Sequence, residues 1–408
     1  MFNIKLIKKF IRSHKVISAI GYYVYFSLQS AKRTTYKLIS LTFIFIPINK
    51  NKIVFCNYYG NGYGDNAKYL CDDLRKQNLN FDLVWLLKNE LIEKSEFPKE
   101  VRVVEYKSFK ALYEMATAKV WIDNSRKEFY PIKRKNQYYI QTWHASMGLK
   151  RIEKDAKESL SSSYIKLAKR DSQMCDLMIS GSRFRYNLYK NSFWYDGEIL
   201  KSGTPRCDLF FHNNDNLKIK VLKELNIPLH KKVVLYAPTF RKNVGIDFFK
   251  IRYEEIIDEL KEKFGGDWIF LNRLHPNIAE LADDFKYNNN FYNASHYSDM
   301  QELLAITDVL ITDYSSSMFD MALRKKICLL YAPDLDKYIN DDRGLYFDYR
   351  KLPFNSATSL DELKSNIQEF DLDEYKSNIE SFHQQIGVYE DGGASRRIVD
   401  RIKEICEK

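Results

Sequence analysis

The chain has 408 residues, of which 45% are hydrophobic and 15% aromatic, a composition that excludes an intrinsically disordered protein. This length allows two domains with separate cores and an additional segment. The formal net charge is +10, but residues 1–64 contain ten Lys or Arg and no Asp or Glu, so the remainder carries 54 bases against 54 acids.

The basic excess belongs to an amphipathic N-terminal segment. Between residues 4 and 15, apolar side chains lie on one helical face and Lys or Arg on the other. Two apolar-aromatic stretches follow, 16–28 and 38–48, each shorter than the ~20 residues that cross a bilayer. We predict that residues 1–48 form helices lying in the cytoplasmic face of a membrane rich in anionic lipid, which makes the protein peripheral and monotopic.

Three other interpretations apply to this segment. A secretory signal is disfavoured because no small-residue cleavage site follows residue 28, and because six scattered cysteines without a Cys-x-x-Cys pair are typical of reduced cytosolic thiols. Nucleic-acid binding is disfavoured because the basic residues alternate with a continuous apolar face. A basic helix packed on its own protein stays open as an alternative.

From residue 52 onward, short apolar runs alternate with amphipathic stretches, which predicts open α/β sheets with helices on both faces. The first half predicts strands over 53–56, 81–87, 119–122, 138–141 and 177–180, with helices over 66–75, 108–118, 161–171 and 182–190. The pattern restarts after Gly203 and predicts strands over 232–236, 267–271, 309–312 and 327–331, with helices over 253–264 and 395–405.

These elements predict two doubly wound, Rossmann-like domains, residues 49–203 and 204–390, that face each other across a cleft. Gly203 and Pro205 interrupt the periodicity, so we expect a hinge near residues 202–206. Residues 391–408 are expected to form a helix that packs back across the cleft.

The segment 303–320 is the most informative part of the chain. A buried strand, 309–312, ends at Asp313-Tyr314, three serines follow, and helical spacing then resumes. Unpaired backbone N–H groups, the hydroxyls of Ser315, Ser316 and Ser317, and the helix dipole together favour a bound phosphate. Ordinary helix capping by Ser315 or Asp313 is the simpler alternative.

Six sequence blocks, in order, carry a family resemblance: Gln141–His144, Gly203–Asp208, Leu235–Arg241, Arg273–Asn277, the segment 303–349 and Asp391–Ser395. Over about residues 50–400 the chain resembles the CDP-glycerol glycerophosphotransferase family, which includes teichoic-acid primases, polymerases and capsule enzymes. The resemblance implies the two-domain glycosyltransferase-B architecture. It also implies a CDP-glycerol or CDP-ribitol donor and an acceptor residing in the membrane.

His144 is the first candidate for catalysis, because it follows a predicted strand end and precedes Gly148 and Lys150. The resemblance implies that the matching histidine acts as the base. Many relatives have Gly-Thr-Pro-Leu-Lys after it, whereas this chain has Ala145–Lys150, which leaves the acceptor preference open. A hydrogen-bonded structural histidine is the alternative.

The other candidates also lie near predicted strand ends or in the family blocks. His275 and Asp313 complete the catalytic set, with Asp313 either orienting a histidine or capping the helix. Arg241 is expected to clamp phosphate through two hydrogen bonds, or else to form a surface salt bridge. The predicted substrate-binding residues are Arg206, Thr239, Arg241, Arg273, Ser315, Ser316, Ser317 and Asp391. No metal-ligand spacing is present, so no cofactor is required, although weak Mg²⁺ assistance stays open.

The leading hypothesis is transfer of glycerol phosphate, or another alditol phosphate, from its CDP-activated form to a hydroxyl of a lipid-linked glycan, with release of CMP. Such an enzyme serves teichoic-acid or capsular polysaccharide synthesis and does not bind nucleic acid. A sugar-nucleotide glycosyltransferase of the same architecture is one alternative. A non-catalytic adaptor that uses the basic N-terminus is another.

Overall fold

The computed structural model of the chain describes residues 34–77, 80–127, 131–241, 244–341 and 344–408. The predicted amphipathic helix at residues 4–15 and the apolar stretch 16–28 lie outside the described residues. The remainder of the chain contains two parallel sheets.

The first sheet has seven parallel strands in the order β3-β2-β1-β4-β5-β6-β7. Its strands are β1 (Asn49–Cys56), β2 (Asp82–Leu87), β3 (Val101–Glu105), β4 (Ala118–Asp123), β5 (Tyr138–Gln141), β6 (Leu177–Ile179) and β7 (Glu198–Leu200). Its helices are α1 (Asp65–Lys76), α2 (Asn89–Ile92), α3 (Phe109–Thr117), α4 (Ser162–Met174) and α5 (Arg183–Ser192). The strand order reverses beside β1, and open α/β sheets bind ligands near such a reversal, at the carboxyl ends of the strands.

The second sheet has six parallel strands in the order β10-β9-β8-β11-β12-β13. They are β8 (Lys232–Ala237), β9 (Trp268–Asn272), β10 (Phe291–Asn293), β11 (Val309–Thr312), β12 (Ile327–Tyr331) and β13 (Asn355–Ala357). The helices that follow β7 are α6 (Asp215–Glu224), α7 (Tyr253–Phe264), α8 (Met300–Ile306), α9 (Ser317–Leu323), α10 (Leu335–Asp341), α11 (Leu360–Gln368), α12 (Leu372–Ile386) and α13 (Ala394–Glu407). Short 3₁₀ turns connect several of them, at Phe43–Phe45, Glu153–Ser159, Pro205–Phe211, Ile246–Phe249, Pro276–Asp284 and Tyr349–Lys351.

Both faces of the first sheet are covered, because successive side chains of a strand point in opposite directions. Ile53 and Phe55 of β1 belong to one buried cluster, which also contains apolar residues of α1 and α13. Val54 and Cys56 belong to the cluster on the other face, with residues of α3 and α5. The last helix, α13, therefore completes the core of the first sheet.

The loop after β5 connects the two sheets. Met147 and Leu149 belong to the hydrophobic core of the second sheet, although they follow a strand of the first. The backbone N–H of Tyr346 donates to the carbonyl of Leu149 at 2.8 Å, and that of Arg151 donates to the carbonyl of Gly344 at 2.8 Å. The chain segment between β5 and this contact is therefore held by both sheets.

The described part of the N-terminal segment begins with helical residues 34–42 and packs against α3. The Tyr36 and Phe109 ring centroids are 5.5 Å apart, and those of Phe43 and Tyr113 are 5.8 Å apart. Leu38, Leu41 and Phe45 are exposed on the opposite side. Among the described helices, none combines the length and the apolar character needed to cross a membrane.

The predicted α/β class with parallel sheets is confirmed. The strands predicted over 138–141, 309–312 and 327–331 and the helix over 253–264 have the predicted bounds, and most other predicted elements differ by one to four residues at an end. Strands β3, β7, β10 and β13 were not predicted. They lie toward or at the sheet edges, where a strand buries fewer side chains and shows a weaker apolar run. The hinge near residues 202–206 stays a prediction.

Candidate active site

A cavity of about 450 Å³ lies between the carboxyl ends of the first sheet's strands and the turn after β11. Side chains from both sheets line it, including Arg126, His144, Lys150, Arg185, Tyr314 and Ser316. A volume of this size holds many times the ~30 Å³ that one water occupies. The cavity can therefore accept a phosphorylated small molecule.

The chain turns sharply after β5 and thereby places His144 in the cavity wall. Trp143 has a φ of 54°, a left-handed conformation that is rare for a bulky residue. It is stabilised by Gln141 Oε1, which accepts from the Trp143 N–H at 2.9 Å, and by Asn66 Nδ2, which donates to the Trp143 carbonyl at 3.0 Å. Hydrogen bonds to its N–H and to its carbonyl therefore hold the strained Trp143 in place, and they fix the direction of the His144 side chain that follows.

The hydrogen bonds of His144 define its protonation state. Nδ1 lies 2.8 Å from the carbonyl oxygen of Asn124, which can only accept, so Nδ1 carries the proton and Nε2 has the free lone pair. Burial lowers the pKa of His144 below its usual value, so the imidazole is neutral at pH 7. A neutral histidine with Nε2 available can accept a proton.

Of the three serines predicted to bind phosphate, Ser316 lines the cavity that also contains His144. Ser315 and Ser317 bond to each other, with 2.8 Å between their hydroxyl oxygens. Ser316 is the capping residue of α9 but makes no side-chain capping bond, and Asp313 instead accepts from the N–H of Tyr314 at 2.6 Å. The Ser315 hydroxyl also accepts from the backbone N–H of Ser317, the first residue of α9, at 3.3 Å, so Ser315 contributes to capping the helix as predicted, whereas Asp313 does not.

The guanidinium of Arg241 is bound by acceptors of the protein itself. Its guanidinium donates to Asp334 at 2.8 and 3.2 Å, to Asp313 at 2.8 Å and to the carbonyl of Thr239 at 2.8 Å, and it also bonds to the Thr239 hydroxyl. These bonds use all five N–H groups of an arginine, so in this arrangement none is left for a phosphate. The phosphate clamp stays a prediction, and the salt bridges to Asp313 and Asp334 are buried, not at the surface, because the Arg241 side chain is 9% exposed.

Asp313 anchors the loop after β8, and none of its hydrogen bonds among the described residues goes to a histidine. Its two carboxylate oxygens accept from the backbone N–H of Thr239 at 2.9 and 3.1 Å, and one of them also accepts from Arg241. Because β8 and β11 are adjacent, at the point where the strand order reverses, the contact joins the two strand ends. Asp313, Thr239 and Arg241 position the loops beside the cavity.

Arg206, predicted to bind substrate, is a buried bridge between the two sheets. It donates to Asp65 at 2.8 Å, to Asp320 at 2.7 Å and to the carbonyl oxygen of His144 at 3.1 Å. Asp320 also accepts a short bond from the hydroxyl of Ser146. Arg206 therefore acts through the backbone of His144, and its charge is balanced by two carboxylates.

His275 and Arg273 follow β9 and lie outside the residues that line the His144 cavity. Nδ1 of His275 accepts from the N–H of Asn277 at 3.2 Å, which starts the 3₁₀ turn at Pro276. Nη1 of Arg273 donates to the carbonyls of Ala294 and Tyr297 at 2.9 and 2.6 Å, and burial lowers the pKa of Arg273 to about 10. The side-chain hydrogen bonds of Arg273 among the described residues go to these two carbonyls and not to a carboxylate, so its charge is available to an anion.

Asp391, another predicted substrate ligand, lies at the surface before α13. It forms a two-bond ion pair with Arg397, at 2.6 and 2.9 Å, and accepts from the N–H of Gly393 at 3.0 Å. It is not among the residues that line the cavity, so its predicted contact with substrate is not supported.

Sequence analysis missed the two arginines of the cavity wall, Arg126 and Arg185. No motif surrounds either of them, and an isolated Arg in a sequence carries no sign of its partners. Within the described part of the chain, no group of three His, Cys, Asp or Glu side chains is arranged to hold a metal ion.

Two parallel α/β sheets meet at a cavity with a neutral histidine on one side and a serine-bearing turn on the other, which is the place where open α/β sheets bind nucleotides and other small molecules. A family model described as CDP-glycerol:poly(glycerophosphate) glycerophosphotransferase matches residues 38–404. The chain belongs to this family, which confirms the predicted resemblance and the predicted enzyme class.

Its curated relatives are bacterial teichoic-acid enzymes. The chain is 32% identical over 380 residues to a teichoic acid poly(glycerol phosphate) polymerase of Staphylococcus epidermidis, covering 88% of this chain and 52% of the relative. It is 33% identical over 388 residues to a teichoic acid glycerol-phosphate transferase of Staphylococcus aureus, covering 90% and 96%. The chain thus spans about half the length of the first relative and nearly all of the second.

Solved structures of the wall teichoic acid polymerase TagF have the same fold. A histidine-to-asparagine variant soaked with CDPG superposes with a TM-score of 0.82 at 29% identity, covering 100% of this chain and 99% of that one. The structure of TagF without a named variant gives a TM-score of 0.80 at 28% identity.

Proposed function

We propose that the protein transfers glycerol phosphate from CDP-glycerol to a hydroxyl of a lipid-linked glycan and releases CMP, in teichoic-acid or capsular polysaccharide synthesis. Family membership and the names of its relatives support the reaction class. The observation that carries the proposal is His144, a neutral histidine with a free Nε2 in a cavity shared by both sheets.

In the proposed step, the acceptor oxygen forms a bond to the β-phosphorus of CDP-glycerol. The bond from that phosphorus to the bridging oxygen breaks, and its electron pair leaves on CMP. The acceptor proton moves to Nε2 of His144, while Nδ1–H stays on the carbonyl of Asn124 and fixes the ring. Arg206, Asp313 and Arg241 contribute indirectly, because they hold the backbone and the loops around the reacting groups.

We assign the donor to the second sheet, whose Ser316 reaches the cavity. This corresponds to the two Rossmann-like domains of the glycosyltransferase-B architecture, with the acceptor on the side of the first. Arg273 and His275 follow the neighbouring strand β9 and are proposed to contact the cytidine diphosphate farther from the reacting phosphorus. Burial lowers the pKa of His275, and the charges of Arg273 and Lys150 lower it further. His275 is therefore proposed as a neutral hydrogen-bond donor.

The membrane location is also a proposal. Leu38, Leu41 and Phe45 expose apolar side chains on the side of the N-terminal segment that faces away from the protein, with exposed fractions of 59%, 42% and 91%. A segment that inserts such residues at the cytoplasmic face, together with its basic residues, would hold the enzyme beside an acceptor that stays in the bilayer.

The test is the consumption of CDP-glycerol, CDP-ribitol and UDP-sugars by the full chain, with a synthetic lipid-linked acceptor and mass analysis of the products. We expect CMP release from CDP-glycerol and an acceptor that gains one glycerol phosphate. A relative named as a poly(ribitol-phosphate) polymerase is 31% identical over 378 residues, which makes CDP-ribitol the essential comparison. Turnover of a UDP-sugar alone would refute the proposal, and so would full turnover by a folded His144→Gln variant.

A further inference from the structure

Arg185 is a buried guanidinium whose charge is not balanced by any carboxylate among the described residues. It lies in the first turn of α5 and is 1% exposed. Its Nε donates to the hydroxyl of Tyr189 at 2.8 Å, whereas neither Nη1 nor Nη2 has a hydrogen-bond partner among the residues that the structure describes. No carboxylate among the described residues forms an ion pair with it. Buried charges in proteins are normally paired, so a site with this geometry lacks its counter-ion.

Two other buried arginines near the site have carboxylate partners that balance their charge. Arg126 lines the same cavity and is also 1% exposed, but it donates to Glu153 at 2.8 Å and to Asp171 at 3.0 Å. Arg206 has two carboxylate partners as well, Asp65 and Asp320. Of these three arginines, Arg185 alone has no carboxylate partner among the described residues.

The unpartnered end of Arg185 is fixed in place. Tyr189 holds Nε, and the guanidinium carbon lies 4.7 Å from the centre of the Tyr189 ring. On the other side, a Cβ atom added to Gly148 would lie 3.3 Å from Nη1, so a glycine lets the loop after His144 pass close to the arginine. A pre-positioned pair of Nη groups matches two oxygens of a phosphate.

We propose that Arg185 is an anion-binding residue of the His144 cavity, where its two Nη groups bind a phosphate group of the substrates. This rests on the proposed phosphotransfer and adds a phosphate subsite on the wall formed by the first sheet. The phosphate belongs either to the glycerophosphoryl group being transferred or to a phosphodiester already present on the acceptor. In the second case, Arg185 selects acceptors that end in glycerol phosphate over uncharged sugars.

The experiment compares the full-length wild type with Arg185→Met, Arg185→Lys and the matched control Arg183→Met. Arg183 is two residues away on the same helix, exposed and outside the cavity. Calorimetric titrations use three probes: inorganic phosphate, CDP-glycerol for the donor, and glycerol 3-phosphate for a charged acceptor end. Thermal unfolding midpoints without ligand are measured in parallel.

We expect Arg185→Met to weaken phosphate binding at least tenfold, Arg185→Lys to weaken it less, and Arg183→Met to leave it unchanged. Without ligand, the midpoint of Arg185→Met should equal or exceed that of the wild type, because a buried unpaired charge has been removed. Arg126→Met should show the opposite, a clear drop in midpoint. A loss confined to CDP-glycerol assigns the phosphate to the donor, and a loss confined to glycerol 3-phosphate assigns it to the acceptor.

Unchanged binding of all three probes by Arg185→Met would overturn the proposal. A midpoint that falls as far as that of Arg126→Met, or failure to fold, would overturn it as well, because Arg185 would then support the fold. Phosphate binding is measured without turnover, so failure of the proposed reaction with CDP-glycerol is seen separately. Conversely, the wild-type enzyme can turn over CDP-glycerol even if Arg185 binds no phosphate.

Discussion

Replacing Arg206 by Met tests whether this arginine binds substrate, as its place in a family block predicts, or holds the two sheets together. The substitution leaves Asp65 and Asp320 without their cation, and their side chains are 7% and 1% exposed. Removing one partner from a buried ion pair costs about 3–5 kcal/mol. The bond to the carbonyl of His144 is lost as well. Against a typical total stability of about 5–15 kcal/mol, we expect a large loss.

The assay is urea unfolding of Arg206→Met followed by tryptophan fluorescence, with the midpoint as readout. The matched control is the triple variant Arg206→Met/Asp65→Asn/Asp320→Asn, which removes the two uncompensated charges and should regain most of the lost stability. If Arg206→Met unfolds at the wild-type urea concentration while the KM for CDP-glycerol rises tenfold or more, Arg206 does not hold the sheets together. It would then be a substrate ligand, as the sequence alone predicts.

Three further predictions concern the base, the loop anchor and a half-buried acid. His144→Gln should lower kcat about 10²–10⁴-fold and remove the acid limb of the kcat–pH profile. Since the pKa of His144 is lowered, wild-type activity should persist to pH values below 6.5. An acid limb that is unchanged in the variant would contradict the role of His144 as the base. Arg241→Lys keeps the charge but cannot donate to Asp313, Asp334 and Thr239 together, so urea unfolding should show a free energy of unfolding that is lower by about 1–3 kcal/mol. An unchanged free energy of unfolding with a raised KM for CDP-glycerol would instead favour the phosphate clamp. Burial raises the pKa of Glu390 to about 8, so its stabilising contribution is complete below the unfolded pKa of ~4.3 and is lost as pH rises towards 8. Thermal midpoints measured between pH 5 and 9 should therefore fall with pH in the wild type and vary less in Glu390→Gln. Parallel curves of midpoint against pH for the two proteins would refute this assignment.

The fold was largely readable because its central strands are buried on both faces. Val309–Thr312 and Ile327–Tyr331 are continuous apolar runs, and such runs are the strongest strand signal in a parallel sheet. Phe291–Asn293 and Asn355–Ala357 are three-residue edge strands, and only tertiary pairing with β9 and β12 makes them strands. No local pattern of three residues carries that information.

The site was only partly readable, because ion-pair partners are distant in sequence. Arg206 is predicted to bind substrate from its place in a family block, and Arg241 is predicted to clamp phosphate from its position after a strand end. Their carboxylate partners lie 141 and 114 residues away for Arg206, and 72 and 93 residues away for Arg241. A position in a family block thus shows that an arginine is near the site, but only the folded chain shows whether its donors are already used.

Charge balance distinguishes the arginines that build this site from the one we expect to bind its ligand. A residue that holds the fold is stabilised by the chain itself, so its removal lowers stability with or without substrate. A residue that binds the substrate is compensated only in the complex, so its removal should leave the free protein as stable and reduce the stabilisation that ligand adds. A ligand at 100 times its Kd adds about 2.7 kcal/mol. If Arg185→Met eliminates most of that increment while Arg183→Met keeps it, an anion from the substrate completes the ion pair that the protein leaves unmade. An equal increment in both variants would instead mean that the counter-charge of Arg185 plays no part in binding.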